Sequence, residues 1–252
     1  MNGWQILAFL ILSSSLPALV VFFWFRIARY QFSVIKFLFA LLAGAAAYFP
    51  ALIMQNFFPR DFFMSGKLGL IAQIFLPVAL TEEFSRLIVL LVFFFTAGRI
   101  EAWRYAKEIS ASNAAEGSAA PVVQSLTTYS AVIYGSAAGL IAGFGFAILE
   151  NAAYGASNAG FVLLRLFTAA PIHGACGARV GSAAILFRTR PVQGLSRFLT
   201  AVLIHGIYNS MVVMPGIAPI AAVLIALFSL ASSVLSIRSG MNKKRTNAKQ
   251  AD

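Results

Sequence analysis

The chain has 252 residues, 60% of them hydrophobic and 11% charged, with a mean hydropathy of +0.84; an average soluble domain carries roughly 25% charge, so an integral membrane protein is expected. The net charge of +11 does not mark a nucleic-acid binder, because Lys and Arg gather in short stretches between apolar runs and never interleave with aromatics on one polar face. The single cysteine, Cys176, lies in an apolar segment, which excludes an internal disulfide and any multi-cysteine zinc site.

A helix that crosses a bilayer needs about 20 mostly apolar residues. Seven stretches supply them: 4–25, 33–54, 68–98, 126–150, 161–187, 197–213 and 217–237. They predict an all-α, polytopic bundle of about seven transmembrane helices, forming one domain over 1–240 with a motif-bearing core at 68–213 and a basic tail at 241–252. No basic residue precedes the first stretch, and Arg26 and Arg29 follow it, the reverse of a secretory signal peptide. With the N-terminus outside, 14 basic residues fall in cytoplasmic segments, counting Lys36 and Arg197 at the cytoplasmic ends of their stretches, 2 (Arg60 and Lys67) outside and 3 (Arg86, Arg165 and Arg179) deep within spans. This asymmetry predicts an outer N-terminus and a cytoplasmic C-terminus.

Gln55 to Lys67 carries Phe57, Phe58, Phe62 and Phe63 around Pro59-Arg60-Asp61 and reads as an aromatic interfacial turn, or a surface that greets a substrate helix. The third stretch then holds Leu80-Thr81-Glu82-Glu83-Phe84-Ser85-Arg86. A charge at the bilayer centre costs about 2.5–3.5 kcal/mol on insertion scales, so these residues mark a functional site. Arg86 is spaced to neutralise either Glu83 at i+3 or Glu82 at i+4. Glu82, Ser85 and Arg86 share a face, which favours Glu82 as the base of the pair. The cytoplasmic loop 99–125 begins with Trp103, Tyr105 and Lys107, as an interfacial helix would, and turns flexible in composition from Ser110 to Pro121.

In the fourth stretch Gly135, Gly139 and Gly143 recur every four residues, a small-residue face for close helix packing or for docking a substrate helix. It leads into Phe146, Glu150 and Tyr154, one stripe at i, i+4, i+8. The fifth carries Arg165, then Ala170-Pro171-Ile172-His173-Gly174, with Gly177 and Gly181 beyond. Pro171 predicts a kink there that frees the carbonyl of Phe167, with His173 beside it near mid-membrane. In the sixth, His205 and Asn209 share a face near mid-depth. The tail after Gly240 reads as a disordered topology signal.

Both histidines and three of the eight acidic residues thus sit inside apolar stretches, which predicts one shared polar site. There is no Gly-x-Ser-x-Gly and no His-Glu-x-x-His. Glutamates and histidines remain and suit water activation: a carboxylate takes the proton and His and Asn donors stabilise the oxyanion. A proton-coupled transporter or channel is the alternative use of the same groups. A zinc site from Glu83, Glu150, His173 and His205 has acceptable ligand types.

Glu82-Glu83-x-x-Arg86, Gly143-Phe-Gly-Phe146-Ala-Ile-Leu-Glu150-Asn151-Ala-Ala-Tyr154, His173 with its following glycines, and His205-Gly-Ile-Tyr-Asn209 together resemble the successive motifs of the PrsW family of intramembrane proteases, related to CAAX prenyl proteases and Abi proteins. The resemblance covers Thr81 to Asn209. It implies a glutamate-dependent peptidase of the bacterial cytoplasmic membrane that needs no prosthetic group and cuts a transmembrane protein substrate, an anti-sigma factor in the known cases. It further implies Glu82 and Glu83 as the water-activating pair, Glu150 as their assistant, and His205 with Asn209 as the oxyanion site, leaving His173 as a further polar candidate. Glu150 stands where the CAAX branch has histidine, and Arg86 where PrsW proteins often have lysine.

Overall fold

The computed structural model describes residues 3–28, 30, 32–58, 66–112, 120–155 and 165–249. Among them the chain is helical, and every one of the seven apolar stretches forms helix. The first is interrupted: α1 (Gly3–Ser14) and α2 (Leu16–Ile27) meet at Ser15, where Pro17 at the start of α2 cannot extend the preceding hydrogen-bond ladder. α3 spans Val34–Asn56 and is capped by Ser33, whose hydroxyl accepts from the Lys36 N–H at 3.2 Å.

The third stretch is a composite. α4 (Lys67–Gln73) runs into a π-helical segment, Ile74–Leu80, and then into α5 (Thr81–Ser112). Pro77 has no N–H to give to an α-helical ladder, and the wider π turn accommodates that loss. The Thr81 hydroxyl donates to the Pro77 carbonyl at 2.6 Å and fixes the junction immediately before Glu82. α5 continues unbroken to Ser112, so the segment after Arg99, expected as a separate interfacial helix, is the continuation of the helix that bears Glu82 and Glu83. Most of the flexible linker expected from Ser110 to Pro121 lies outside the described residues, as does the centre of the aromatic turn at 59–65.

α6 (Ala120–Gly155), α7 (Ala169–Leu186), α8 (Pro191–Val212) and α9 (Ala218–Lys249) complete the bundle. α9 carries through the basic stretch after Gly240, where disorder was expected; Met, Lys, Arg and Ala are good helix formers, and no proline stops them. Ala8–Ile27, Val34–Asn56, Ala131–Tyr154 and Ala218–Asn242 are long and apolar enough to cross a membrane. The other three stretches fall short of that length-and-composition test, and they are the ones bearing Glu82, Glu83 and Arg86 on α5, His173 and Arg179 on α7, and Arg197 and His205 on α8.

The α6 span is 78% buried against 28% for each of the other three, so α6 is the bundle's axis. Its glycine face is used internally. A Cβ at Gly139 would collide with the Gly177 carbonyl of α7, and one at Gly143 with the His173 carbonyl. These are backbone-to-backbone approaches that only a missing side chain allows. Gly139→Ala therefore forces α6 and α7 apart and lowers stability by about 1–3 kcal/mol, read as a lower melting temperature of the detergent-solubilised protein.

Candidate active site

The close α6–α7 seam sets His173 against Phe146 and Glu150, and α5 and α8 bring Glu82, Glu83, Arg86 and His205 to the same place. All of these side chains are nearly or fully buried. Glu83 is committed: its Oε1 pairs with Arg86 Nη2 at 2.9 Å and accepts from His205 Nδ1 at 2.7 Å. Of the two pairings the helical spacing allowed Arg86, the i+3 one is made. Arg86 also reaches α7, donating to the His173 carbonyl at 3.4 Å and to His173 Nδ1 at 3.2 Å, and its guanidinium stacks over Phe146 at 4.6 Å.

These contacts fix both imidazoles. Arginine only donates, so His173 Nδ1 holds the lone pair and Nε2 carries the proton, directed at Glu150 Oε2 at 2.5 Å. A carboxylate only accepts, so His205 Nδ1 carries its proton to Glu83 and Nε2 presents its lone pair towards Glu82 Oε2 at 3.7 Å. Glu150 also pairs with Arg165 at 2.5 Å; Arg165 donates to Asn151 at 2.7 Å and lies over the Tyr154 ring at 4.2 Å.

Glu82 is held differently from Glu83. Its Oε1 accepts from Gln55 of α3 at 3.1 Å and it lines a cavity, which Glu83 does not; the Oε2 of each glutamate is buried with no hydrogen-bond partner. Gln55 carries no motif, and as a polar residue in the last turn of an apolar helix it reads in sequence as a boundary residue; only the packing of α3 on α5 reveals its contact. Ser85, grouped in sequence with Glu82, instead donates to the Ala47 carbonyl of α3 at 2.5 Å. Asn209 is half-buried one turn beyond His205, and its side chain makes no hydrogen bond among the described residues.

Two positions differ from expectation. Pro171 stands in the first turn of α7, where no intrahelical donor is required, so there is no kink and His173 lies near a helix start. The cluster also sits towards the end of the bundle where α3 and α6 finish: Gln55 is the penultimate residue of α3, and Glu150 is five residues from the end of α6. A cavity of about 240 Å³ adjoins it there, between α3, α5 and α6, with Glu82, Glu150 and Gln55 in its wall.

The charges are suggestive. With all three carboxyls ionised and both imidazoles neutral, three carboxylates face two guanidiniums and one negative charge is left over. One ligand atom each from Glu82, His173 and His205 lies within 4.8 Å of the others. Two of these donors are set for a divalent cation: Glu82 Oε2 is a buried oxygen without a partner, and His205 has a free Nε2 whose other nitrogen is oriented by a carboxylate, the usual support for a metal-bound histidine; His173, held by Arg86 and Glu150 at its two nitrogens, joins them only by giving up its Glu150 contact. The set differs from the Glu83, Glu150, His173, His205 group considered from sequence, because Glu83 is spent on Arg86 and His205.

An integral membrane protein whose buried carboxylates and imidazoles meet beside a cavity has the build of an intramembrane hydrolase. Residues 33–233 match the family model described as PrsW family intramembrane metalloprotease, and the chain belongs to that family of membrane proteases. Comparison with curated proteins and with solved structures gives no match.

Proposed function

We propose that this protein hydrolyses a peptide bond of a membrane-protein substrate, of the anti-sigma-factor type, with Glu82 as the base that activates water. The observation that carries this reading is the placing of the paired glutamates: each has one buried oxygen without a hydrogen-bond partner, but Glu83 is tied to Arg86 and His205 and does not line the cavity, whereas Glu82 stands in the cavity wall with its Oε2 3.7 Å from His205 Nε2. Glu82 Oε2 takes a proton from water as the water oxygen bonds to the scissile carbon. His205 Nε2 receives that proton and delivers it to the leaving nitrogen as the C–N bond breaks, while Glu83 on Nδ1 stabilises the imidazolium. Asn209, on the same face of α8, has its amide available for the oxyanion. Glu150, fixed by His173 and Arg165, keeps a second carboxylate at the site.

A divalent cation such as zinc, when bound, would be held by Glu82 and His205, joined by His173 if its Nε2 gives up the Glu150 contact, and would polarise the carbonyl and acidify the water. With Glu82 engaged as a ligand, Glu150 is the carboxylate left to take a proton.

The test compares the membrane proteomes of cells carrying the wild-type protein and the Glu82→Gln/Glu83→Gln variant. A fragment that accumulates only with wild type is expected. Identical fragment patterns, together with a substrate-dependent pH change in sealed vesicles, would instead identify a proton-relay transporter. Metal analysis of the purified protein separates the two hydrolytic forms: about one zinc per chain, lost in His205→Ala, marks the metal-dependent one.

A further inference from the structure

The cavity beside the cluster is larger than catalysis on water requires. On the scale by which it measures about 240 Å³, one water needs only roughly 10–15 Å³. Its walls divide by chemistry. Gln55, Glu82 and Glu150 form the polar side, already joined to one another's partners: Gln55 to Glu82, and Glu150 to His173 and Arg165. The rest is apolar. Ala51, 1% exposed, and Phe146, fully buried, form the depth, with the Tyr48 ring set edge-on to Phe146 at 5.7 Å. Leu52 at 38% and Tyr154 at 54% exposure stand at the mouth, so the cavity opens between α3 and α6.

Resting on the peptidase reading above, we propose that this cavity is a substrate subsite that takes one bulky apolar side chain, of the leucine, methionine or phenylalanine class, at a position flanking the cut. The aromatic and aliphatic depth gains by covering such a side chain. An acidic side chain meets Glu82 and Glu150, and a small one leaves the space unfilled. Ala51 in the depth and Ala153 at the mouth set the room available, because each presents only a methyl group where a larger side chain would project into the cavity.

The probe is a synthetic peptide library with a leucine-rich membrane-spanning segment followed by randomised residues, reconstituted with the full-length protein in phosphatidylcholine vesicles. Cut sites are read by mass spectrometry. Wild type should enrich Leu, Met or Phe at one flanking position and deplete Asp and Glu. Ala51→Leu should shift that position to Ala, Gly or Ser, lowering cleavage next to bulky residues by roughly 10-fold or more relative to small ones, the discrimination an apolar pocket achieves per group removed. Ala153→Leu, at the exposed mouth, tests the same space without altering the buried interior. Cleavage by wild type with no apolar preference, with enrichment of Lys or Asp, or with a profile that both variants leave unchanged overturns the subsite alone. Absence of any cleavage by the folded wild-type protein overturns the peptidase reading and the subsite with it.

Discussion

Glu82→Gln is expected to lower peptide-bond cleavage by about 10²–10⁴-fold while leaving the protein folded and inserted. The amide is nearly the same size and can still meet Gln55, but it replaces the unpartnered carboxylate oxygen of the glutamate that lines the cavity and so removes the proposed base. Glu83→Gln should also reduce cleavage, by a different route. It weakens the support of His205 Nδ1 and leaves Arg86 without its carboxylate, so its loss of activity is accompanied by loss of stability. Melting temperature measured beside the cleavage rate distinguishes the two: activity lost at unchanged stability for Glu82→Gln, both lost for Glu83→Gln. A Glu82→Gln protein that cuts at the wild-type rate removes Glu82 from the chemistry.

Arg86→Leu is expected to cost about 3–5 kcal/mol, the range found when one partner of a buried pair is removed and the other charge is stranded. Arg86 is fully buried, and it ties three elements together through Glu83 within α5, His173 of α7 and the Phe146 ring of α6. Most of the cost comes from the uncompensated Glu83, so Arg86→Leu/Glu83→Gln should recover a large part of it. Arg86→Lys keeps the charge but has no planar fork to reach Glu83 and His173 together, and should fall between. Thermal unfolding of the detergent-solubilised variants measures the series. If Arg86→Leu and wild type melt together, the ion pair is not what stabilises the cluster.

The legible part of this protein was its apolar periodicity and its costly exceptions. Seven stretches of the right length become helix, and the ionisable residues inside them, Glu82, Glu83, Glu150, His173 and His205, do converge, because only a shared polar interior relieves the cost of each. The glycine spacing of α6 announced a close helix contact, and α7 supplies it. What stayed hidden depends on partners far apart in sequence. Helical spacing permits Arg86 to pair with either glutamate, and the position of His173 and His205 decides for Glu83. Gln55 acquires a role only when α3 packs on α5. Proline was ambiguous for a local reason: Pro77 widens a helix interior into a π turn, whereas Pro171 sits harmlessly in a first turn, and composition alone does not say where the helix begins.

The most direct measurement is cleavage of the vesicle-reconstituted peptide library in water enriched in ¹⁸O, with the new fragments weighed by mass spectrometry. If the Glu82 cluster activates water against a peptide bond, each new C-terminal carboxylate made by the wild-type protein carries ¹⁸O, and Glu82→Gln yields no such labelled fragments. Labelled fragments produced equally by wild type and Glu82→Gln would contradict the account.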